Sequence, residues 1–123
     1  MTPTAVKRTK MLPTKTSKAR VFFVGRSDRF QTNAAEEFGE RTFLRITTNP
    51  LETADFMREV VAELERERFN PDEDFVAMTG PALDLALFVG TIFGLWGDMN
   101  LKILVFEARR DRYRLHEITA EAL

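Results

Sequence analysis

Few residues in this chain have side chains suited to catalysis. There is no cysteine and one histidine, His116. Without thiols there is no thiolate nucleophile, iron–sulfur cluster, zinc finger or disulfide framework. One imidazole excludes a multi-histidine metal site, and a Ser-His-Asp triad is left only with His116 as its base. The serines are Ser17 and Ser27, and neither stands in a G-x-S-x-G elbow. His116 lies in a polar segment between Arg114 and Glu117 and reads as a surface histidine. Asp72-Glu73-Asp74 has the donors of a Mg²⁺ or Ca²⁺ site. It precedes an apolar strand, at the amino end of a sheet, and reads as a solvated turn. No P-loop and no G-x-G-x-x-G is present. The sequence therefore assigns no catalytic residue, metal or cofactor, and it leans away from an enzyme.

A ligand edge needs elements to build it, and the apolar pattern supplies them. Arg20–Gly25 is a buried strand, four bulky apolar residues ended by glycine. Residues 27–39 form a polar turn and one or two helical turns, with Thr32 as cap and Gly39 just past the end. Thr42–Thr47 is a second strand. Asn49-Pro50-Leu51-Glu52 opens a helix that runs to about Arg68, with Met57, Val60, Val61 and Leu64 as its apolar stripe. Asp74–Thr79 is a third strand, Ala82 to about Trp96 a long helix, and Leu101–Phe106 a fourth strand. After a turn at 108–111, Arg112–Ile118 alternates like an antiparallel edge strand.

This alternation predicts a small Rossmann-like α/β domain, residues 20–118, of three layers with a mainly parallel sheet in the order 2-1-3-4 and strand 5 antiparallel at the edge. The short helix takes one face and the two long helices the other. Strands 3 to 5 then keep one bare face, where Leu104 and Phe106 point, awaiting the arm or a second subunit.

Ligands of open parallel sheets bind at the carboxyl ends of the strands. Here those ends carry Gly25, Arg26, Ser27 and Asp28, then Thr79, Gly80 and Pro81, then Glu107. The helix starting at Pro81 aims its N-terminus at the same edge and suits an anion. Thr79-Gly80 leading into an apolar helix resembles the ligand-binding turn of Rossmann-like cyclic-oligonucleotide sensor domains. Pro81 and Ala82 depart from the Gly and Lys expected there, so no residue role carries over.

Leu85–Gly97 has no charge across 13 residues. It is too short to span a membrane, for which about 20 residues are needed. A soluble helix without a polar face is buried all round. Ala82, Ala86, Gly90 and Gly94 recur every fourth residue, so a backbone can approach closely, either the chain's own sheet or the same helix of a second copy. An oligomer interface is expected at Ala86, Leu87, Phe88, Gly90, Phe93, Gly94 and Trp96, or at Leu104 and Phe106, with a dimer the simplest form.

Net charge is −1, but it is split. Residues 1–20 hold Lys7, Arg8, Lys10, Lys15, Lys18 and Arg20 and no acid, whereas the other 103 hold 12 basic and 19 acidic residues. Residues 1–19 read as a basic flexible or docking arm, suited to an acidic protein surface or to nucleic acid. No aromatic residue lies among its charges to stack on bases. Arg109, Arg110, Arg112 and Arg114 make a basic turn diluted by nearby acids. Residues 119–123 are a tail. No apolar secretory core is present, and a cytoplasmic protein, or one carried in an assembly such as a virion or mobile element, is expected. The reading is an interaction module; the alternative is a sensor or small enzyme for a nucleotide or another anionic phosphorylated metabolite, bound at the carboxyl edge.

Overall fold

The computed structural model describes residues 19–24, 30–97 and 99–119. Its elements are β1 (Arg20–Phe23), a 3₁₀ helix (Phe30–Glu37), β2 (Glu40–Phe43), α1 (Thr53–Arg66), β3 (Phe75–Ala77), α2 (Ala82–Trp96), β4 (Asn100–Glu107) and β5 (Arg112–Thr119). They form one mixed sheet in the order β2-β1-β3-β4-β5, as the pattern of apolar residues predicted. All pairs are parallel except β4–β5, in which Leu104 stands opposite Leu115.

Side-chain alternation divides the core into two layers. On one face Phe22, Val76, Leu101 and Ile103 pack against Phe56, Val60 and Leu64 of α1 and Phe88 and Ile92 of α2. On the other face Val21, Phe23, Ala77, Leu104 and Tyr113 pack with Ala35 of the 3₁₀ helix, and Phe38, Phe43 and Phe106 close the margin. Phe23 stacks on Phe43 at 4.7 Å, and Phe106 meets Tyr113 edge-on at 5.3 Å.

The bare sheet face expected over strands 3 to 5 is corrected here. Leu104 and Tyr113 are fully buried, because the 3₁₀ helix reaches across the sheet and Glu37 at its end pairs with Arg112 of β5 at 2.7 Å. Leu115 remains 39% exposed. Thr32 is no cap; it lies inside the 3₁₀ helix, where its hydroxyl accepts from Arg41 at 3.0 Å. The expected strand 42–47 is displaced to Glu40–Phe43, because after Leu44, which still donates to Phe23 of β1, the main-chain N–H groups of Arg45, Thr47 and Thr48 donate to side chains of α1. α1 begins at Thr53; Asn49 instead closes a turn, accepting from Leu51 at 2.9 Å and, through its carbonyl, from Glu52 at 2.8 Å.

Asp74 belongs to the core rather than to a solvated turn. The residue is 3% exposed, and its carboxylate accepts from the backbone N–H of Asn70 at 2.8 Å and of Arg20 at 3.1 Å. Burial pushes its pKa up, against the lowering effect of those donors. Arg20, numbered with the arm's cations in the sequence, is part of the sheet. Its guanidinium pairs with Glu67 at 3.3 Å, donates to the carbonyls of Glu67 and Arg68, and lies over the Phe22 ring at 4.7 Å. This knot joins the start of β1 to the end of α1 and the start of β3.

Gly39 is where the chain entering β1 touches the start of β2. A Cβ there would stand 2.5 Å from the Ala19 carbonyl oxygen. Backbone cannot yield as a flexible side chain does, so Gly39→Ala is expected to cost about 1–3 kcal/mol, the usual range for overpacking. A urea titration reads this as a lower midpoint at unchanged slope.

Candidate functional site

Of the residues expected at the ligand edge, the structure brings together Thr79, Gly80 and Pro81, which join β3 to α2, and Glu107, which ends the adjacent β4. Gly25, Arg26, Ser27 and Asp28 lie outside the described residues. The Thr79 hydroxyl is buried and has no hydrogen-bond partner among the described residues; the same holds for the Tyr113 hydroxyl. Glu107 pairs with Arg114 at 3.2 Å and Arg110 at 4.0 Å, so the hairpin arginines neutralise it. α2 has Pro81 at its N-cap and no side-chain cap, with Asp84 in its first turn.

Elsewhere on this edge the chain's own carboxylates take the main-chain donors. Glu59 accepts from the N–H of Thr47 at 3.1 Å and of Thr48 at 2.9 Å, and from the Thr47 hydroxyl at 3.0 Å. Glu63 accepts from the Arg45 N–H at 2.9 Å. An incoming anion would have to displace both from the β2–α1 link. Contacts from Thr48, then from Thr47, hold the Glu59 pKa at about 2. Glu59 and Glu63 lie outside the apolar stripe of α1, and only the fold shows that their side faces the main chain of residues 45–48.

The second candidate surface is the outer side of α2. At 3.6 residues per turn, Ala82, Leu83, Ala86, Gly90 and Gly94 fall within an arc of about 120°. All five are exposed. Phe88, Thr91 and Ile92, on the opposite side, are buried in the chain's own core. The small-residue stripe therefore points away from the sheet, and a Cβ at Gly90 or Gly94 would meet nothing within 4 Å. Leu83 is 41% exposed. Phe93 falls within the same arc and Leu87 and Val89 flank it, all three half-buried.

Among the expected interface residues, Ala86, Gly90 and Gly94 lie on this open face with Phe93, and Leu87 is at its margin. Trp96 is 36% exposed with one edge against Phe69 at 5.3 Å. Phe88 and Leu104 are corrections: both are fully buried and have no surface to offer a partner. Phe106 is half-buried beside Tyr113. Sequence reading passed over Leu83, although 83, 87, 90 and 94 follow the heptad-like spacing that marks one face of a helix.

His116 is exposed on β5 opposite Ile103. Among the described residues, no group of three or more His, Asp or Glu is placed to hold a metal ion, and no helix is long and apolar enough to cross a membrane. Lys7, Arg8, Lys10, Lys15 and Lys18 lie outside the described residues. Comparisons with protein-family models, curated proteins and solved structures give no match to this chain.

The Glu59 clamp has a pH signature. Its carboxyl titrates near 2 in the fold against 4.5 as its ordinary value. The stability it supplies is present above pH 4.5 and is lost as pH falls towards 2. Glu59→Gln is expected to be less stable at neutral pH and to lose less on acidification across that window. Circular dichroism melts at stepped pH compare the two proteins.

Proposed function

We propose that this chain is a non-catalytic assembly module that pairs with a second copy of itself through the outer face of α2. The observation that carries this reading is the open space over Gly90 and Gly94. Glycine inside a helix costs about 1 kcal/mol relative to alanine. Nothing within the described chain offsets that cost, because a side chain at either glycine would touch none of its atoms beyond the helix. Two such helices laid across each other bring their backbones close at the small residues, as in Gly-x-x-x-Gly crossings. Leu83, Leu87 and Phe93 then lose water in the contact. Asp84 is the helix's one charge, and it is half-buried on the opposite side, so the pairing desolvates no charged side chain of α2.

A 15-residue helix is roughly 22 Å long. One face of it buries on the order of 400 Å² per copy, at the weak end for protein interfaces. Affinity in the micromolar range follows, and the basic segment 1–18 is a second contact element, suited to an acidic surface or to phosphates.

Sedimentation equilibrium is expected to show a dimer at about 100 µM that dissociates in the low micromolar range. Gly90→Ala with Gly94→Ala should raise the stability of the dissociated chain by roughly 1–2 kcal/mol through helix propensity, yet weaken pairing. Gly90→Glu should abolish pairing with the helical circular dichroism unchanged. A wild-type monomer at the higher concentration, or pairing unaffected by Gly90→Glu, overturns the reading.

A second reading, an anion-binding sensor or small enzyme, draws on the buried Thr79 hydroxyl beside the N-terminus of α2. Thermal shifts with a nucleotide and cyclic-nucleotide panel are its test. A shift removed by both Thr79→Val and Arg26→Ala supports it, and no shift with any member removes it.

A further inference from the structure

We propose that the open groove beside the start of β2 is the seat of the chain's own basic N-terminal segment. The groove has a volume of about 800 Å³ and is lined by Ala19, Glu36, Glu37, Gly39, Glu40 and Phe43, with Phe38 and Arg41 completing it. The proposal extends the reading of residues 1–18 as a contact element, and it stands apart from the pairing of α2.

Four observations lead to this occupant. Ala19, the first described residue, is itself a wall of the groove, so residues 1–18 enter the fold at its lip. Its carbonyl accepts from the Glu40 N–H at 3.1 Å, which fixes the point of entry against β2. The charges are complementary. Three carboxylates line the groove against the one guanidinium of Arg41, whereas residues 1–18 carry Lys7, Arg8, Lys10, Lys15 and Lys18 and no acid. Glu36 and Glu37 are each held by an arginine, Arg41 at 3.0 Å and Arg112 at 2.7 Å, and Glu40 has no ion pair among the described residues. A carboxylate accepts several hydrogen bonds, so the paired acids still have acceptor sites for a lysine. Finally, β2 ends the sheet on this side, and no strand pairs with its outer edge among the described residues. An extended segment there gains main-chain hydrogen bonds as well as charge.

The reach is sufficient. Lys10–Lys18, fully extended, spans roughly 30 Å, against about 13 Å along the four residues of β2 and about 10 Å to pass from the line of β1 to the outer edge of β2. A segment tethered at the lip is present at an effective concentration of order millimolar, so contacts too weak to hold a free peptide suffice. Alternation in an extended segment puts Lys15 and Ser17 on one side, with Thr14, Thr16 and Lys18 on the other. Lys15 and Lys18 are the cations nearest the tether, so either face of the extended segment presents one of them to Glu40.

Limited trypsin digestion of the full chain tests this, because Lys15 and Lys18 are themselves cleavage points. Cleavage there is expected to be about fivefold slower at roughly 0.02 M salt than at roughly 0.5 M, since these contacts are exposed to screening. The triple variant Glu36→Gln, Glu37→Gln, Glu40→Gln should lose that protection. Hydrogen exchange over residues 40–43 should quicken in the variant, while its melting midpoint shows that the fold is intact. A variant in which Glu40→Gln is made alone should show part of the loss and guards against a folding defect in the triple. Equal cleavage rates at both salt concentrations and in all variants overturn the proposal. Protection that appears only as protein concentration rises assigns the groove to another copy's segment and overturns it as stated. So does protection seen only after single-stranded DNA is added. Gly90→Glu should leave the result unchanged, which separates this test from that of the α2 pairing.

Discussion

A parallel sheet has to be covered on both faces, since its strands are apolar on both. The described residues hold three helical segments with which to cover five strands, and the distribution of their apolar surface follows from that shortage. α1 and α2 together take one face, each contributing a single buried stripe. The other face is left to a 3₁₀ helix eight residues long. Ala35 packs in one cluster with Ala77, and the Tyr113 ring meets Phe106 edge-on. With every helix committed to the sheet, no element of the described chain remains to cover the outside of α2.

The strand order, the antiparallel last strand and the boundaries of α2 were legible from the period of the apolar residues together with the handedness of crossovers. They rest on runs such as Val21-Phe22-Phe23-Val24 and on the uninterrupted apolar stretch that ends at Gly97, where φ is 65° and the helix cannot continue in an ordinary residue. What escaped the sequence was decided by contacts between distant segments. The turn Asn49–Glu52 has the signature of a capped helix start, yet the helix begins later because Asn49 spends its side chain on Leu51. The rotation of α2 was open as well. A helix that is apolar all round has no polar face to say which side turns inward, and the larger residues Phe88 and Ile92 took the core while the glycines turned out.

The carboxyl edge shows the same limit in its polar groups. Thr79, Gly80, Pro81 and Glu107 could be placed there by topology. That Glu59 and Glu63 reach back to the main chain of 45–48 could not, because glutamates on a helix surface carry no mark of what lies opposite them. Asp74 was misread for the same reason: after two other acids it looks solvated, and only the backbone of Asn70 and Arg20 turns it inward.

Among the described residues, the β4–β5 hairpin is the one strand pairing made between neighbours in the sequence without an intervening helix. Every other pairing waits on a crossover, and the contact of Arg20 with Asp74 closes a separation of 54 residues. Hairpins form in microseconds, while long loop closures are slower and come at greater entropic cost. During synthesis β1, β2 and β3 emerge before β4 and β5, so these parallel strands are made before the piece best able to nucleate the sheet. The order of translation and the order of easiest folding run in opposite directions. The unfolded chain must keep its first strands from pairing wrongly until β4 and β5 have been made.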